Sequence, residues 1–200
     1  MSNGDEVVAA EGVYKCGTYH NSDEMYYISG LNGVVRCEND NLQCKLDGQG
    51  SRRVMVVDGW NSGGGTLSLR GFHIHRGSYL NGGGIYTGNG AIVNLSIMKF
   101  TKCQATDSSY YGGGAIQAYS GTINLYAVEF SGNSAASKGD DIYIYYAAVT
   151  VHSNCPDGYD GSPTVGENQP WLLAPRHFPT NLSPHPFPFA LSHHLLRSCP

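Results

Sequence analysis

The chain has 200 residues, 27 of them glycine, with 14% charged residues and a net charge of −4, a profile that suits a single turn-rich β domain and argues against a helical or disordered chain. The small charge and the lack of a basic patch give no reason to expect a nucleic-acid partner. No stretch reaches the roughly 18 apolar residues that a membrane span needs.

The acidic start Met1-Ser2-Asn3-Gly4-Asp5-Glu6 has no apolar signal-peptide core, so the chain reads as intracellular or as a fragment of something longer. Residues 1–11 read as a frayed N-terminus. Short β-like pieces follow at Gly12-Val13-Tyr14 and Gly17-Thr18-Tyr19. Strands are predicted at 25–29, 34–37, 44–46 and 54–57. The last two are closed by Asp47-Gly48 and Asp58-Gly59, where glycine's tolerance of positive φ marks a turn. This N-terminal third is expected to form irregular coils that start and cap the domain, because an uncovered sheet edge invites pairing. Cys37 and Cys44 flank the short polar stretch Glu38-Asn39-Asp40-Asn41 and are candidates for a short-loop disulfide in a secreted protein. Two buried thiols on neighbouring strands are the alternative.

Residues 65–151 organise the chain, because they repeat. Leu67, Leu69, Phe72 and Ile74 are followed by Val93, Leu95, Met98 and Phe100, then by Ile123, Leu125, Val128 and Phe130, and a further copy opens with Val149 and Val151. Apolar residues two apart share one face of a strand. The step of three between the pairs breaks that alternation, so a bend at Arg70-Gly71, Ser96-Ile97 and Tyr126-Ala127 must return both pairs to one interior. Glycine-rich turns at Gly82-Gly83-Gly84 and Gly112-Gly113-Gly114, and the looser Gly139-Asp140-Asp141, precede a third strand led by Ile85, Ile116 and Ile142. The period is 26, 30 and 26 residues from Leu69 through Leu95 and Leu125 to Val151, a repeat architecture. The predicted fold is all-β, a right-handed parallel β-helix over residues 12–160. Leu69, Leu95, Leu125 and Val151 should form one interior ladder, Ile74, Phe100 and Phe130 a second, and Ile85, Ile116 and Ile142 a third. Gly77, Cys103 and Asn133 fall at equivalent corners, where an inward side chain can serve the turn backbone.

Beyond Val151 the pattern stops at Cys155-Pro156. Residues 161–200 hold no glycine after Gly166, no acidic residue after Glu167, and seven prolines from Pro170 onward, which predicts a disordered Pro/His-rich tail.

The blocks Gly113-Gly114-Ala115-Ile116 with Phe130-Ser131-Gly132-Asn133, and Gly83-Gly84-Ile85 with Phe100-Thr101-Lys102-Cys103, resemble the polymorphic outer membrane protein repeat and the wider right-handed β-helix superfamily of bacterial and microbial-eukaryote surface proteins. Cys103 departs from that pattern's Asn. The Leu46-Asp47-Gly48 and Val57-Asp58-Gly59 coils are similar to coils of such proteins. The resemblance covers about residues 12–166 and implies an extracellular or cell-surface protein with adhesive or binding roles and no defined enzyme activity. Nothing in the chain resembles the membrane barrel that ends the outer-membrane members.

Some right-handed β-helices act on polysaccharides, so a lyase or glycoside hydrolase is the alternative function. Its two carboxylates would have to face one sugar about 5–9.5 Å apart. Asp140 and Asp141 are adjacent and should diverge, and Asp47 and Asp58 read as turn residues. His73 and His75 share an outward face, but zinc takes three or four ligands, and the expected neighbours Lys99 and Glu129 read as a salt pair. No metal site, cofactor site or catalytic residue is assigned. The most suggestive surface is aromatic. If Ile85, Ile116 and Ile142 point inward, Tyr86, Gln117 and Tyr143 form an outward row, with Tyr119 and Tyr145 beside them. Such a face can meet a carbohydrate or another surface protein. Stacking that merely stabilises the sheet is the alternative.

Overall fold

The computed structural model describes residues 4–15, 23–30, 32–59, 65–108, 111–152 and 165–167. The expected pieces at Gly17-Thr18-Tyr19, Cys155-Pro156 and nearly all of the tail lie outside the described residues. The chain folds as a single all-β body, a parallel β-solenoid of about five turns.

Each coil contributes strands to three faces. Face 1 holds β1 (Asp5–Ala9), β4 (Gly33–Cys37), β7 (Thr66–Arg70), the first half of β11 (Ala91–Thr101), the middle of β13 (Ile116–Ser131) and the second half of β15 (Ile142–His152). Face 2 holds β2 (Gly12–Lys15), β5 (Cys44–Asp47), β8 (Phe72–His75) and the ends of β11 and β13. Face 3 holds β3 (Glu24–Ser29), β6 (Arg53–Asp58), β10 (Ile85–Gly88), the starts of β13 and β15, and β16 (Val165–Glu167). All pairings are parallel. The long strands run through the corners and join the faces into one wrapped 13-stranded sheet. A three-stranded sheet of β9 (Ser78–Tyr79), β12 (Gln104–Ala105) and β14 (Ser134–Ala135) lies between faces 2 and 3 along the chain.

The interior is built from columns of equivalent residues. Val7, Val35, Leu69, Leu95, Leu125 and Val151 are in register on face 1. Tyr14, Leu46, Ile74, Phe100 and Phe130 align on face 2, and Phe100 and Phe130 stack at 5.3 Å. Tyr26, Met55, Ile85, Ile116 and Ile142 align on face 3. The three expected ladders are therefore present, and each extends into the N-terminal coils.

That extension corrects the reading of the first third. Asp5–Ala9, expected to fray, is a strand whose five residues pair with β4. The N-terminal coils are not irregular in register; only their connections differ. The solenoid begins without a cover among the described residues, which leaves Val7 of the face 1 column exposed; Val8 and Val13, also exposed, alternate with the column residues and point outward. A second correction concerns residues 161–200, where Val165–Glu167 adds a strand to β15. Composition pointed to disorder there, but this tripeptide contains no proline and can donate to the ladder.

The corners carry the sharpest local signal. At the bend from face 1 to face 2, Gly71, Ile97 and Ala127 have φ of 78°, 51° and 52°. At the end of face 2, Arg76, Lys102 and Gly132 have φ of 47°, 55° and 61°. One left-handed residue per corner turns the chain and restores the inward phase, as the step of three requires. Asn133 then closes its corner: its Oδ1 accepts the Cys103 N–H at 2.9 Å, and its Nδ2 donates to the Phe100 carbonyl at 3.2 Å and to Asp141 Oδ1 at 2.9 Å. Cys103 itself is a buried free thiol, pushed up to about 12 by burial and so unreactive.

Candidate binding faces

On face 3 the inward Ile85, Ile116 and Ile142 are fully buried. Strand alternation turns the next residues outward, but outward is not the same as exposed. Gln117 and Tyr143, expected on the ligand face, are both 0% exposed. Register tells which side of the sheet a residue occupies, not what crosses over it. A Cβ on Gly82 would stand 3.0 Å from the Gln117 Cβ, so the glycine-rich turn of the preceding coil lies directly on this row. Neither side-chain amide atom of Gln117 has a hydrogen-bond partner among the described residues.

Tyr86, Tyr119 and Tyr145 remain half-buried and form a continuous tract. Tyr86 and Tyr119 stack at 6.2 Å, and Tyr119 and Tyr145 at 5.1 Å, with planes within 19° and 18° of parallel. Tyr111 and Tyr146 meet Tyr145 edge-on at 6.0 and 4.4 Å, and Tyr146 is 65% exposed. Gly88 leaves room for the Tyr86 ring, because a Cβ there would come within 3.0 Å of it. The tyrosines turn their ring faces on one another along the solenoid axis. What they offer to the outside is a line of ring edges and phenol hydroxyls.

Arg53 anchors the start of this tract and was not singled out in the sequence. Its guanidinium lies 4.2 Å from the Tyr79 ring centre and 4.9 Å from that of Tyr86. Its Nε donates to the Gly82 carbonyl at 3.0 Å, and its Nη2 to the Asn81 carbonyl at 2.6 Å. Burial lowers its pKa to about 10. The Tyr79 hydroxyl donates to Asp23 at 2.8 Å. Arg53 is thus consumed in holding the turn and the first tyrosine.

Face 2 assembles a polar row that the sequence scatters. Lys45, His73, Lys99 and Glu129 are in register, as are Asp47, His75, Thr101 and Ser131. His73 Nε2 and His75 Nδ1 each lie 2.7 Å from Thr101 Oγ1, which can accept from a ring N–H or donate to a bare ring nitrogen, so the tautomers set the direction of each bond. Burial, then Lys45, His75 and Lys99, lower the His73 pKa to about 4 against the opposing pull of Asp47. Lys99 pairs with Glu129 at 2.9 Å. Among the described residues no three metal-ligating side chains come together. The expectation of no basic patch is corrected here: in space Lys45, Lys99, Arg76 and Lys102 share this face and its corner, although the sequence scatters them. Continuing the repeat one coil toward the N-terminus would have placed Lys45 beside His73.

The carboxylates weighed for catalysis are committed locally. Asp47 accepts from the Gln49 N–H at 2.9 Å and from Arg76 at 2.6 and 3.0 Å. Asp58 accepts from Tyr27 and Asn89, both at 2.8 Å. Asp140 takes the Ala135 N–H at 2.9 Å, and Asp141 holds Asn133.

Cys37 and Cys44 are joined in a disulfide with their Cα atoms 5.7 Å apart. In later coils a single residue turns face 1 into face 2; here the seven residues from Cys37 to Gln43 do, and the bond pinches their base. Asn39 and Asn41 donate to Glu11 at 2.9 and 2.6 Å, and Arg70 donates to Asp40 at 2.8 Å, so the loop is tied to the coils on both sides. No helix among the described residues is long and apolar enough to cross a membrane. Comparison with protein families, with curated proteins and with solved structures found no match to this chain.

Proposed function

We propose that this chain is a non-catalytic binding module of a secreted or cell-surface protein, and that the tyrosine tract of face 3 contacts an extended carbohydrate laid along the solenoid axis. The observation that carries the reading is the unbroken, half-exposed line of Tyr86, Tyr119 and Tyr145 across three successive coils. Because the ring faces are taken up by stacking, sugar hydroxyls would meet the phenol hydroxyls and ring edges. The repeat's resemblance to polymorphic outer membrane proteins and the Cys37–Cys44 bond, which suits an oxidising compartment, support the setting.

A glycan array screened with the full chain, alongside a turnover assay on pooled plant and algal polysaccharides, tests this. The expected result is retention without turnover, lost in Tyr119→Ala and Tyr145→Ala while the far-UV circular dichroism spectrum is unchanged. Turnover would replace the reading with a polysaccharide-active enzyme. The mutual stacking of the rings favours a second reading, in which the ladder only stabilises the sheet. In that case Tyr119→Ala lowers the melting temperature and changes the binding of no glycan.

A further inference from the structure

We propose that face 2 is a second, separate binding surface, which takes an anionic polysaccharide with its carboxylate or sulfate groups along the row Lys45, His73 and Lys99. The register puts these three side chains on consecutive coils. At about 4.8 Å per coil the row is roughly 10 Å long, more than one small anion can span. Arg76 and Lys102 stand exposed at the adjoining corner. Opposing them in the same register rows are Asp47, engaged by Arg76, and Glu129, engaged by Lys99. Lys45 and Lys102 take part in no ion pair among the described residues. This excess of positive charge sits on a chain whose net charge is −4, so it is a local feature and not a reflection of composition. The same overall charge opposes the dense phosphates of a nucleic acid, whereas a sugar acid spaces its charges along an uncharged chain.

The histidines make the surface responsive to acid. His73 faces Lys45 and Asp47 from β5, His75 from its own strand, and Lys99 and Thr101 from β11. His75 faces Lys45 and Asp47, with Arg76 and Lys102 at the corner. The lysines oppose protonation of either ring. A bound anion offsets that repulsion, so binding and protonation favour each other by linkage. Affinity therefore rises as pH falls from neutral to 5, above the range in which a sugar acid's own carboxylates take up protons.

The experiment measures binding of the full chain to immobilised polygalacturonate, dextran sulfate, uncharged dextran and a single-stranded oligonucleotide, at pH 7.5 and 5. Retention is expected on one or both acidic polysaccharides and not on dextran, weakened by salt and strengthened at the lower pH. Lys45→Gln should weaken it roughly fivefold, the weight of one exposed charge contact. Glu129→Gln should strengthen it by freeing Lys99, and Lys138→Gln, away from this face, should leave it unchanged. The NMR titration of His73 should move upward when polymer is added. Failure to bind either acidic polysaccharide, equal retention on dextran, or an equal loss in Lys138→Gln would overturn the proposal, as would preferential capture of the oligonucleotide. Tyr119→Ala separates the two faces: it abolishes binding on face 3 and leaves binding to polygalacturonate intact, so either proposal can fail without the other.

Discussion

At the scale of single residues, His73 and Asp47 on face 2 contribute to the acid limb of stability at different pH. His73 titrates at about 4 in the folded chain against 6.5 for the free side chain, chiefly through burial and the nearby lysines. The unfolded chain therefore binds more protons between these values. The stability linked to His73 is complete above pH 6.5 and is lost as pH falls toward 4. Asp47 follows lower down. Burial pushes its carboxyl up, but hydrogen bonds from Arg76 and the Gln49 N–H, with the charges of Arg76 and His75, outweigh that and hold it below 3.8. Its contribution is present above pH 3.8 and disappears as pH drops through the lowered folded value. Urea midpoints measured from pH 8 to 3 should fall in two stages, and His73→Asn should shrink the first, to which His75 also contributes, and leave the second. A single stage unaffected by that substitution would show that His73 titrates normally. Neither group could be ranked from the sequence, because the lysine that bears on His73 is 28 positions away, at Lys45. The turn role of Asp47 was legible, but glycine's part in it was not. Gly48 is needed because a Cβ would stand 2.7 Å from the Gly77 Cα, and the left-handed positions of that turn are Gln49 and Gly50.

The coil corner is the element on which the fold's legibility rests. A step of three in an alternating pattern demands one residue that absorbs the phase, and Gly71, Ile97 and Ala127 take it up with positive φ. Ile97 is the least suited, being β-branched, and shows that stacking of the coils dictates the corner against local preference. The corner also separates two substitutions of opposite sign. In Gly71→Ala the new Cβ meets the Cys37 Cβ at 3.1 Å and the Asn39 carbonyl oxygen at 3.2 Å, besides the left-handed strain, so a loss of roughly 1–3 kcal/mol is expected. Ala127→Gly removes a cost of about 1–2 kcal/mol and adds about 0.5–1 kcal/mol of backbone entropy, for a small net gain. Shifts in urea midpoint at constant slope check both. A destabilised Ala127→Gly would mean that the alanine methyl packs well enough to offset its strain. The same corner logic explains what sequence reading missed. Where the seven residues from Cys37 to Gln43 replace one, the period is broken in sequence while the register is kept in space, so the N-terminal coils read as irregular.

For the whole molecule, stability should behave as a chain of coil-to-coil contacts, because a coil packs its three faces against one another and otherwise meets only the coils above and below it. The face 1 column allows one substitution to be compared at two depths. Leu125 is 2% exposed, between Leu95 and Val151, while Val151 is 44% exposed, with Leu125 on one side. Leu125→Asp forfeits roughly 1.5–3 kcal/mol of burial and adds several more for an unpaired carboxylate. That sum is comparable with the ~5–15 kcal/mol that holds a typical domain together. Leu125→Asp should therefore abolish the cooperative melt. Val151→Asp, whose carboxylate can reach water, should keep it with a loss on the order of 1 kcal/mol. Circular dichroism melts of the two variants beside the parent decide between interior and end positions. If Leu125→Asp melts like the parent, the column does not face the interior. If both variants collapse alike, Val151 is an interior position and the face 1 column does not end there.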